Sequence, residues 1–203
     1  MTLDSGTHMP QTNDREKVRL QYRPETVSVL FVGESPPVSG RFFYFGSGIV
    51  FSSTQRAFSN AWTCSFETPD RFLRSFADAG CFLEDLSHSP VDGLPPHERE
   101  RALEECVKSF AQRLRSISPK FVVVFLKKIA PLVERAAALA GFPHEQIHVL
   151  PFPGNGHQNK YVSALTALLL DAQSRGLVLR HQGTESNPTI ERDARKSGAR
   201  PSL

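Results

Sequence analysis

The chain has 203 residues, of which 39% are hydrophobic and 22% charged, and its formal net charge is +3. This length suits one α/β domain with short tails, and no apolar run reaches the roughly 20 residues that a membrane span needs. The mildly basic balance permits binding to nucleic acid, but any basic surface must arise from local clustering of the cations.

The two ends of the chain are polar. Residues 1–20 predict a flexible N-terminal arm, in which Gly6 to Met9 resemble a cloning remnant. This arm lacks the apolar core of a signal peptide, and we expect a cytoplasmic protein. Residues 179–203 contain few apolar side chains and predict a disordered tail. The folded domain is therefore expected to span residues 21–178.

Short apolar runs alternate with amphipathic segments between these ends. The predicted strands are Val27–Val32, Cys81–Leu86, Phe121–Leu126 and Gln146–Leu150. The predicted helices cover 53–61, the segment from the Thr68-Pro69-Asp70 cap to Gly80, 96–116, 129–140 and 159–175. This alternation predicts an α/β protein, a three-layer α/β/α sandwich with a central four-stranded parallel sheet.

Residues 96–116 are expected to form one long amphipathic helix. Apolar side chains recur every three or four residues from Leu103 to Ile117. The opposite face carries Arg99 among other charged residues, and we expect it to be solvated. Lys127 and Lys128 follow the third strand and are likewise expected at the solvated start of a helix.

The loop after the first strand is the most distinctive stretch of the sequence. The strand ends at Gly33, and the polar segment that follows begins with Glu34. In parallel α/β sheets, ligand sites form where strands end in such loops. Four consecutive aromatic residues, from Phe42 to Phe45, come soon after. A carboxylate beside an aromatic wall suits a flat, uncharged ligand such as a nucleobase, while the plainer alternative is a solvated Glu34 and aromatic rings that belong to the core.

Three motifs resemble those of the uracil-DNA glycosylase superfamily. The segments G-E-S-P-P and G-R-F-F-Y-F-G-S-G are similar to its first motif and its base-stacking segment, and P-F-P-G-N-G-H-Q-N-K-Y is similar to its second motif. The resemblance covers residues 27–175. It implies a monofunctional DNA glycosylase of base excision repair, which flips uracil or another deaminated base out of DNA and leaves an abasic site.

The resemblance also bears on cofactors and partners. The iron–sulfur branches of the superfamily need four cysteines, whereas this chain has three scattered ones, Cys64, Cys81 and Cys106. It therefore implies a divergent branch without the cluster, and neither a cofactor nor a metal is expected. The implied partner is DNA that contains uracil or an abasic site, bound by a monomer.

The resemblance implies catalytic roles for three residues. Glu34 would orient water and stabilise the cationic sugar. Phe152 occupies the position of the usual His or Asn of the second motif, so the group that stabilises the departing base must be elsewhere. His157 is the first candidate and Asn155 the second. The alternative for His157 is a loop side chain that is merely exposed to water.

The base itself would lie against residues of several loops. Phe43 matches the stacking position, where a base–aromatic contact contributes about 1–3 kcal/mol. Asp85 stands where the family usually has the Asn that reads the base. An ionised Asp can only accept hydrogen bonds, so hypoxanthine and xanthine stay open beside uracil, and Asp85 could instead cap a loop. The predicted base-binding set is Gly33, Ser35, Phe43, Asp85 and Phe152.

Contacts to the DNA backbone would come from loop N–H groups and nearby cations. The residues predicted to bind DNA are Ser39, Arg41, Ser89, Gly154, Gly156 and Lys160. The loop from His157 to Tyr161 is expected to insert into the duplex, as the second-motif loop does in this family.

Two other functions are compatible with the sequence. The first is a non-catalytic or tightly product-binding protein that recognises abasic or damaged DNA, and it is favoured by Phe152 in place of the usual His or Asn. The second is a hydrolase of nucleosides or nucleotides on the same fold. No glycine-rich phosphate-binding motif follows a strand, so a nucleotide cofactor is not supported.

Overall fold

Four parallel strands form the centre of the structure, which is a computed structural model that describes residues 12–178. The strands are β1 (Val29–Gly33), β2 (Cys81–Asp85), β3 (Phe121–Val124) and β4 (Ile147–Val149). Their order in the sheet is β2-β1-β3-β4, so β1 and β3 are central. All pairings are parallel, and the carboxyl ends of the strands therefore meet at one edge of the sheet.

Helices cover the sheet. They are α1 (Thr12–Gln21), α2 (Ile49–Trp62), α3 (Pro69–Asp78), α4 (Pro96–Glu105), α5 (Val107–Ile117), α6 (Ala130–Ala140) and α7 (Gln158–Ser174). Short 3₁₀ turns lie at Phe43–Phe45, Lys127–Ile129 and His144–Gln146. α2 packs against α7, and α5 against α6. This arrangement confirms the predicted α/β/α sandwich. Within the part of the chain that the structure describes, no helix is long and apolar enough to cross a membrane.

The core follows from the apolar strands and a cluster of phenylalanines. Every residue of β1, β2 and β3 is buried. Continuous apolar runs predict this burial for the parallel strands β1 and β3, whereas β2 ends with the carboxyl side chains of Glu84 and Asp85. The rings of Phe31, Phe58, Phe72 and Phe76 lie 5.2–6.5 Å apart where they meet. These edge-to-face and tilted pairs add specific geometry to a large buried apolar area. The cluster makes the sheet a rigid support for the loops at its edge.

Local signals place two helix ends correctly. The Thr68 hydroxyl accepts a hydrogen bond from the backbone N–H of Arg71 at 3.2 Å, and Pro69 opens α3. Gly141 ends α6 with φ +72°, a conformation that favours glycine. Both ends were expected from the sequence because caps depend on nearby residues alone.

The single helix expected over residues 96–116 is wrong. The chain forms α4 and α5, which are separated at Cys106. The Cys106 N–H donates to the Leu103 carbonyl three residues back, at 3.1 Å, which tightens the last turn of α4. Because the buried positions Leu103, Val107 and Phe110 keep their helical spacing across the break, hydrophobic periodicity does not reveal it.

The flexible arm expected at the N-terminus is also wrong over residues 12–20, which form most of α1. This helix has no apolar stripe. Arg19 of this helix is buried, and its guanidinium lies 2.8 Å from Glu84 at the end of β2, while Val18 packs against the core. Residues 1–11 and the expected tail of residues 179–203 lie outside the described residues.

Candidate active site

A cavity of about 430 Å³ opens at the carboxyl edge of the sheet. The loops after all four strands contribute to its wall, as the parallel topology requires. The predicted site residues that line it are Gly33, Glu34, Ser35, Ser39, Arg41, Phe43, Asp85 and Phe152. Residues from all three predicted sets, namely the catalytic, the base-binding and the DNA-binding residues, therefore line the same cavity.

The remaining predicted residues lie outside the wall of this cavity. Asn155, Gly156 and His157 are exposed in the turn that precedes α7, where Asn155 has φ +53°. Lys160 is exposed in the first turn of α7. Two others that do not line the cavity are Gly154 and Ser89. The structure therefore separates His157 and Asn155 from Glu34 and Asp85.

Gly33 permits the close approach of β1 and the Asp85 side chain. The two residues are partners in the register of β1 and β2. A Cβ at position 33 would lie 2.3 Å from Asp85 Oδ1 and 3.0 Å from the ring of Phe125. Only glycine leaves room for the carboxyl group at this point.

Glu34 is an ion-paired carboxylate. Its Oε1 accepts from Arg99 Nε at 3.0 Å and lies 2.8 Å from Lys128 Nζ, and a second Arg99 nitrogen contacts Oε2. Burial alone would raise the pKa of Glu34, but the hydrogen bonds from Arg99 and Lys128 outweigh it, and the pKa is lowered. Glu34 is therefore ionised at neutral pH, with both oxygens engaged.

Arg99 and Lys128 are site residues that sequence reasoning missed. Both were expected to be solvated, yet both line the cavity and contact Glu34. Arg99 comes from α4 and Lys128 from the 3₁₀ turn after β3. The order of charged residues along the sequence does not indicate which cation contacts a distant loop. The sequence therefore gave no signal that Arg99 or Lys128 contacts Glu34.

Asp85 is a buried carboxyl group beside the cavity. It is 7% exposed and lines the cavity. Burial first, and then repulsion from Glu84 and Glu34, raise the pKa of Asp85 to about 7, against the opposing effect of two arginines. Near neutral pH much of Asp85 is a neutral acid, which can donate one hydrogen bond and accept others.

The aromatic residues divide between core and cavity. Phe42, Phe43 and Tyr44 are all buried. The Phe43 ring lies 5.4 Å from that of Phe76 and still borders the cavity. Phe152 is only partly buried, and its ring lies over Gly154, where a Cβ would come within 2.5 Å of it. Four phenylalanines thus line the cavity, namely Phe42, Phe43, Phe125 and Phe152, of which Phe152 is the most exposed.

A cluster of buried charges lies next to Asp85. Glu84 is 3% exposed, and its Oε1 lies 2.8 Å from Arg19, 3.0 Å from Arg113 and 2.5 Å from His88. Burial opposes ionisation of Glu84, but His88 and the two arginines outweigh it and its pKa is lowered. Arg113 also donates to the Asp85 carbonyl at 2.8 Å. This cluster fixes the end of β2, which carries Asp85.

Comparison of the chain with protein-family models and with curated protein sequences finds no match. The function is therefore inferred from the residues around the cavity and from the motifs in its loops.

Proposed function

We propose that the protein is a monofunctional DNA glycosylase that excises uracil from DNA and leaves an abasic site, acting as a cytoplasmic monomer. The observation that carries the proposal is the meeting of Glu34, Asp85 and several phenylalanine rings in one cavity of about 430 Å³. A base that leaves the duplex needs a pocket with a flat apolar wall, a group that reads its edge and a charge near the sugar. These three elements come from separate loops of the same sheet edge.

Asp85 is suited to read the edge of the base. In its neutral form the carboxyl O–H can donate to a carbonyl oxygen, while the other oxygen accepts from a ring N–H. Uracil presents such a pair at O4 and N3–H. Hypoxanthine presents the same pair at O6 and N1–H, so Asp85 would favour uracil and hypoxanthine over cytosine and adenine, the bases from which they arise by deamination. The aromatic side chains of Phe43 and Phe152 would enclose the ring.

Glu34 and its partners are suited to the charges that develop during cleavage. As the N-glycosidic bond breaks, its electron pair leaves with the base and positive charge builds up on the sugar; water then supplies the hydroxyl group to the anomeric carbon and a proton to the base. Ionised Glu34 would stabilise the cationic sugar. Arg99 and Lys128, held 2.8–3.0 Å from Glu34 Oε1, would favour the anionic base as it departs.

The proposal is tested with an end-labelled oligonucleotide that carries one deoxyuridine. After incubation with the protein, alkali treatment breaks the strand at every abasic site, and a denaturing gel separates the product. We expect wild type to yield the shorter band and Glu34→Gln to lose at least about 100-fold in single-turnover rate, since one group that stabilises transition-state charge contributes roughly 10²–10³.

Glu67→Gln is the matched control, because it makes the same chemical change at an exposed residue outside the cavity. It should cleave like wild type. Equal cleavage by Glu34→Gln and wild type would remove Glu34 from the mechanism. The absence of cleavage on deoxyuridine and deoxyinosine substrates alike would overturn the glycosylase proposal.

A second candidate function is binding of abasic or damaged DNA without catalysis. It is favoured by the contacts of Glu34, whose two oxygens are both engaged by cations, and by the position of His157 outside the cavity wall. A binder would shift an oligonucleotide with a tetrahydrofuran abasic analogue in a native gel, with an affinity that falls steeply as salt rises. That shift without strand cleavage would favour the binder over the enzyme.

A further inference from the structure

A second cavity, of about 250 Å³, adjoins the first. Phe42 and Asp85 border both cavities. The rest of its wall consists of Arg15, Glu16 and Arg19 from α1, together with Pro36 and His88. None of these five residues lines the first cavity. The wall of the second cavity thus combines two arginines, two carboxyl groups and His88 with the apolar residues Pro36 and Phe42.

Arg15 is an unusual residue for such a wall. It is 6% exposed, and its buried Nε has no hydrogen-bond partner. Within residues 12–178, no carboxylate lies within ion-pair distance of its guanidinium. A buried N–H donor without a partner is costly, so the unpaired Nε of Arg15 indicates a place for an acceptor that residues 12–178 do not supply.

Two further arginines share the carboxylates next to this cavity. Arg19 and Arg113 both contact Glu84, and Arg19 contacts Glu16 as well. The third carboxyl group nearby is that of Asp85, which is partly neutral near pH 7 because its pKa is raised to about 7. The buried Nε of Arg19 has no hydrogen-bond partner either. An anion in the cavity would accept from the N–H donors that remain without partners.

We propose that the second cavity binds a phosphate group, with Arg15 as its principal ligand. A planar guanidinium presents paired N–H donors that match two oxygens of a phosphate, and the cavity has room for a group of this size. The phosphate could belong to a nucleic-acid backbone, which is a phosphodiester, or to a small phosphomonoester. The proposal is independent of the glycosylase activity, because it concerns binding of an anion alone.

The test uses the full chain, inorganic phosphate and isothermal titration calorimetry at constant ionic strength. We expect saturable binding to wild type and roughly 10- to 100-fold weaker binding to Arg15→Gln, the loss typical of a charge-assisted hydrogen-bond pair. Arg71→Gln is the matched control, since Arg71 is exposed on α3 and away from both cavities; it should bind like wild type.

Two further ligands identify the source of the phosphate. Binding of dimethyl phosphate, with displacement by a short abasic oligonucleotide, would assign the site to a nucleic-acid backbone. Binding of inorganic phosphate alone would assign it to a phosphomonoester. Circular dichroism and thermal melting show whether Arg15→Gln is folded, and Arg15→Lys, which keeps the charge without the planar fork, should bind with intermediate affinity. The proposal is overturned if wild type binds none of these ligands, or if folded Arg15→Gln binds them as tightly as wild type.

Discussion

Asp85→Asn should stabilise the protein, and by an amount that depends on pH. The substitution keeps the size and shape of the side chain but removes its ionisation. In the folded protein the pKa of Asp85 is about 7, whereas its ordinary value is 3.8. Between these two pH values the folded chain keeps a proton that the unfolded chain has lost. The stability of wild type therefore falls as pH rises from 3.8 to about 7 and is level on either side.

The magnitude follows from the raised pKa. Each tenfold change in proton affinity corresponds to about 1.4 kcal/mol, so ionisation of Asp85 costs the fold about 4 kcal/mol once the pH exceeds its folded pKa of about 7. Asparagine avoids this cost. The advantage of Asp85→Asn over wild type should grow by about 2 kcal/mol between about pH 5.5 and about pH 8.5.

Urea unfolding at several pH values measures this difference. The buried indole of Trp62 provides a fluorescence signal, and the linear dependence on urea gives the free energy of unfolding. Subtracting wild type from the variant at each pH cancels the titration of the groups that do not interact with Asp85. Asp78→Asn is the control, because it makes the same chemical change at an exposed residue of α3.

A difference between Asp85→Asn and wild type that does not change with pH would refute the reasoning. It would mean that Asp85 is ionised in the fold as readily as in an unfolded chain, and that its burial beside Glu84 is compensated in some other way. The neutral acid invoked for base recognition would then be lost too. The comparison of Asp85→Asn with wild type thus tests both the energetic cost of ionising Asp85 and the premise that a neutral Asp85 reads the base.

Two other substitutions test the packing around the cavity. Gly33→Ala should lower the free energy of unfolding by about 1–3 kcal/mol, because its Cβ would lie 2.3 Å from Asp85 Oδ1. The control Gly93→Ala should be near neutral, since its Cβ would make only an ordinary contact at 3.6 Å. Equal urea midpoints for the two variants would contradict this prediction. Glu84→Gln should cost about 3–5 kcal/mol, since it removes the buried negative charge that Arg19 and Arg113 share. The exposed Glu105→Gln should stay within about 0.5 kcal/mol of wild type. A similarly small loss for Glu84→Gln would show that the two arginines find other partners.

The fold could be predicted from the sequence because its signals are local. The apolar runs of β1 and β3 have the length and uniformity of buried parallel strands. Once the alternation of strands and helices is accepted, the parallel topology brings the ends of the strands together. This is why Glu34 and Asp85, 51 positions apart in the sequence, could both be placed at the same edge of the sheet.

What the sequence did not reveal depends on contacts between distant charged residues. Nothing in the spacing of α4 indicates that Arg99 reaches Glu34, or that Arg19 of α1 reaches Glu84. Both contacts depend on where a helix lies relative to the sheet, which only the tertiary structure defines. The state of Asp85 was missed for a related reason, since its raised pKa arises from burial and from two neighbouring carboxylates.

The position of Asp85 between the two cavities links whatever occupies them. A negative charge in the second cavity would disfavour ionisation of Asp85 and so increase the share of its neutral, hydrogen-bond-donating form in the first. By thermodynamic linkage, a base that binds the neutral form would in turn strengthen the affinity for the anion by the same factor. A single proton on one buried carboxyl group can therefore couple two ligands that never touch.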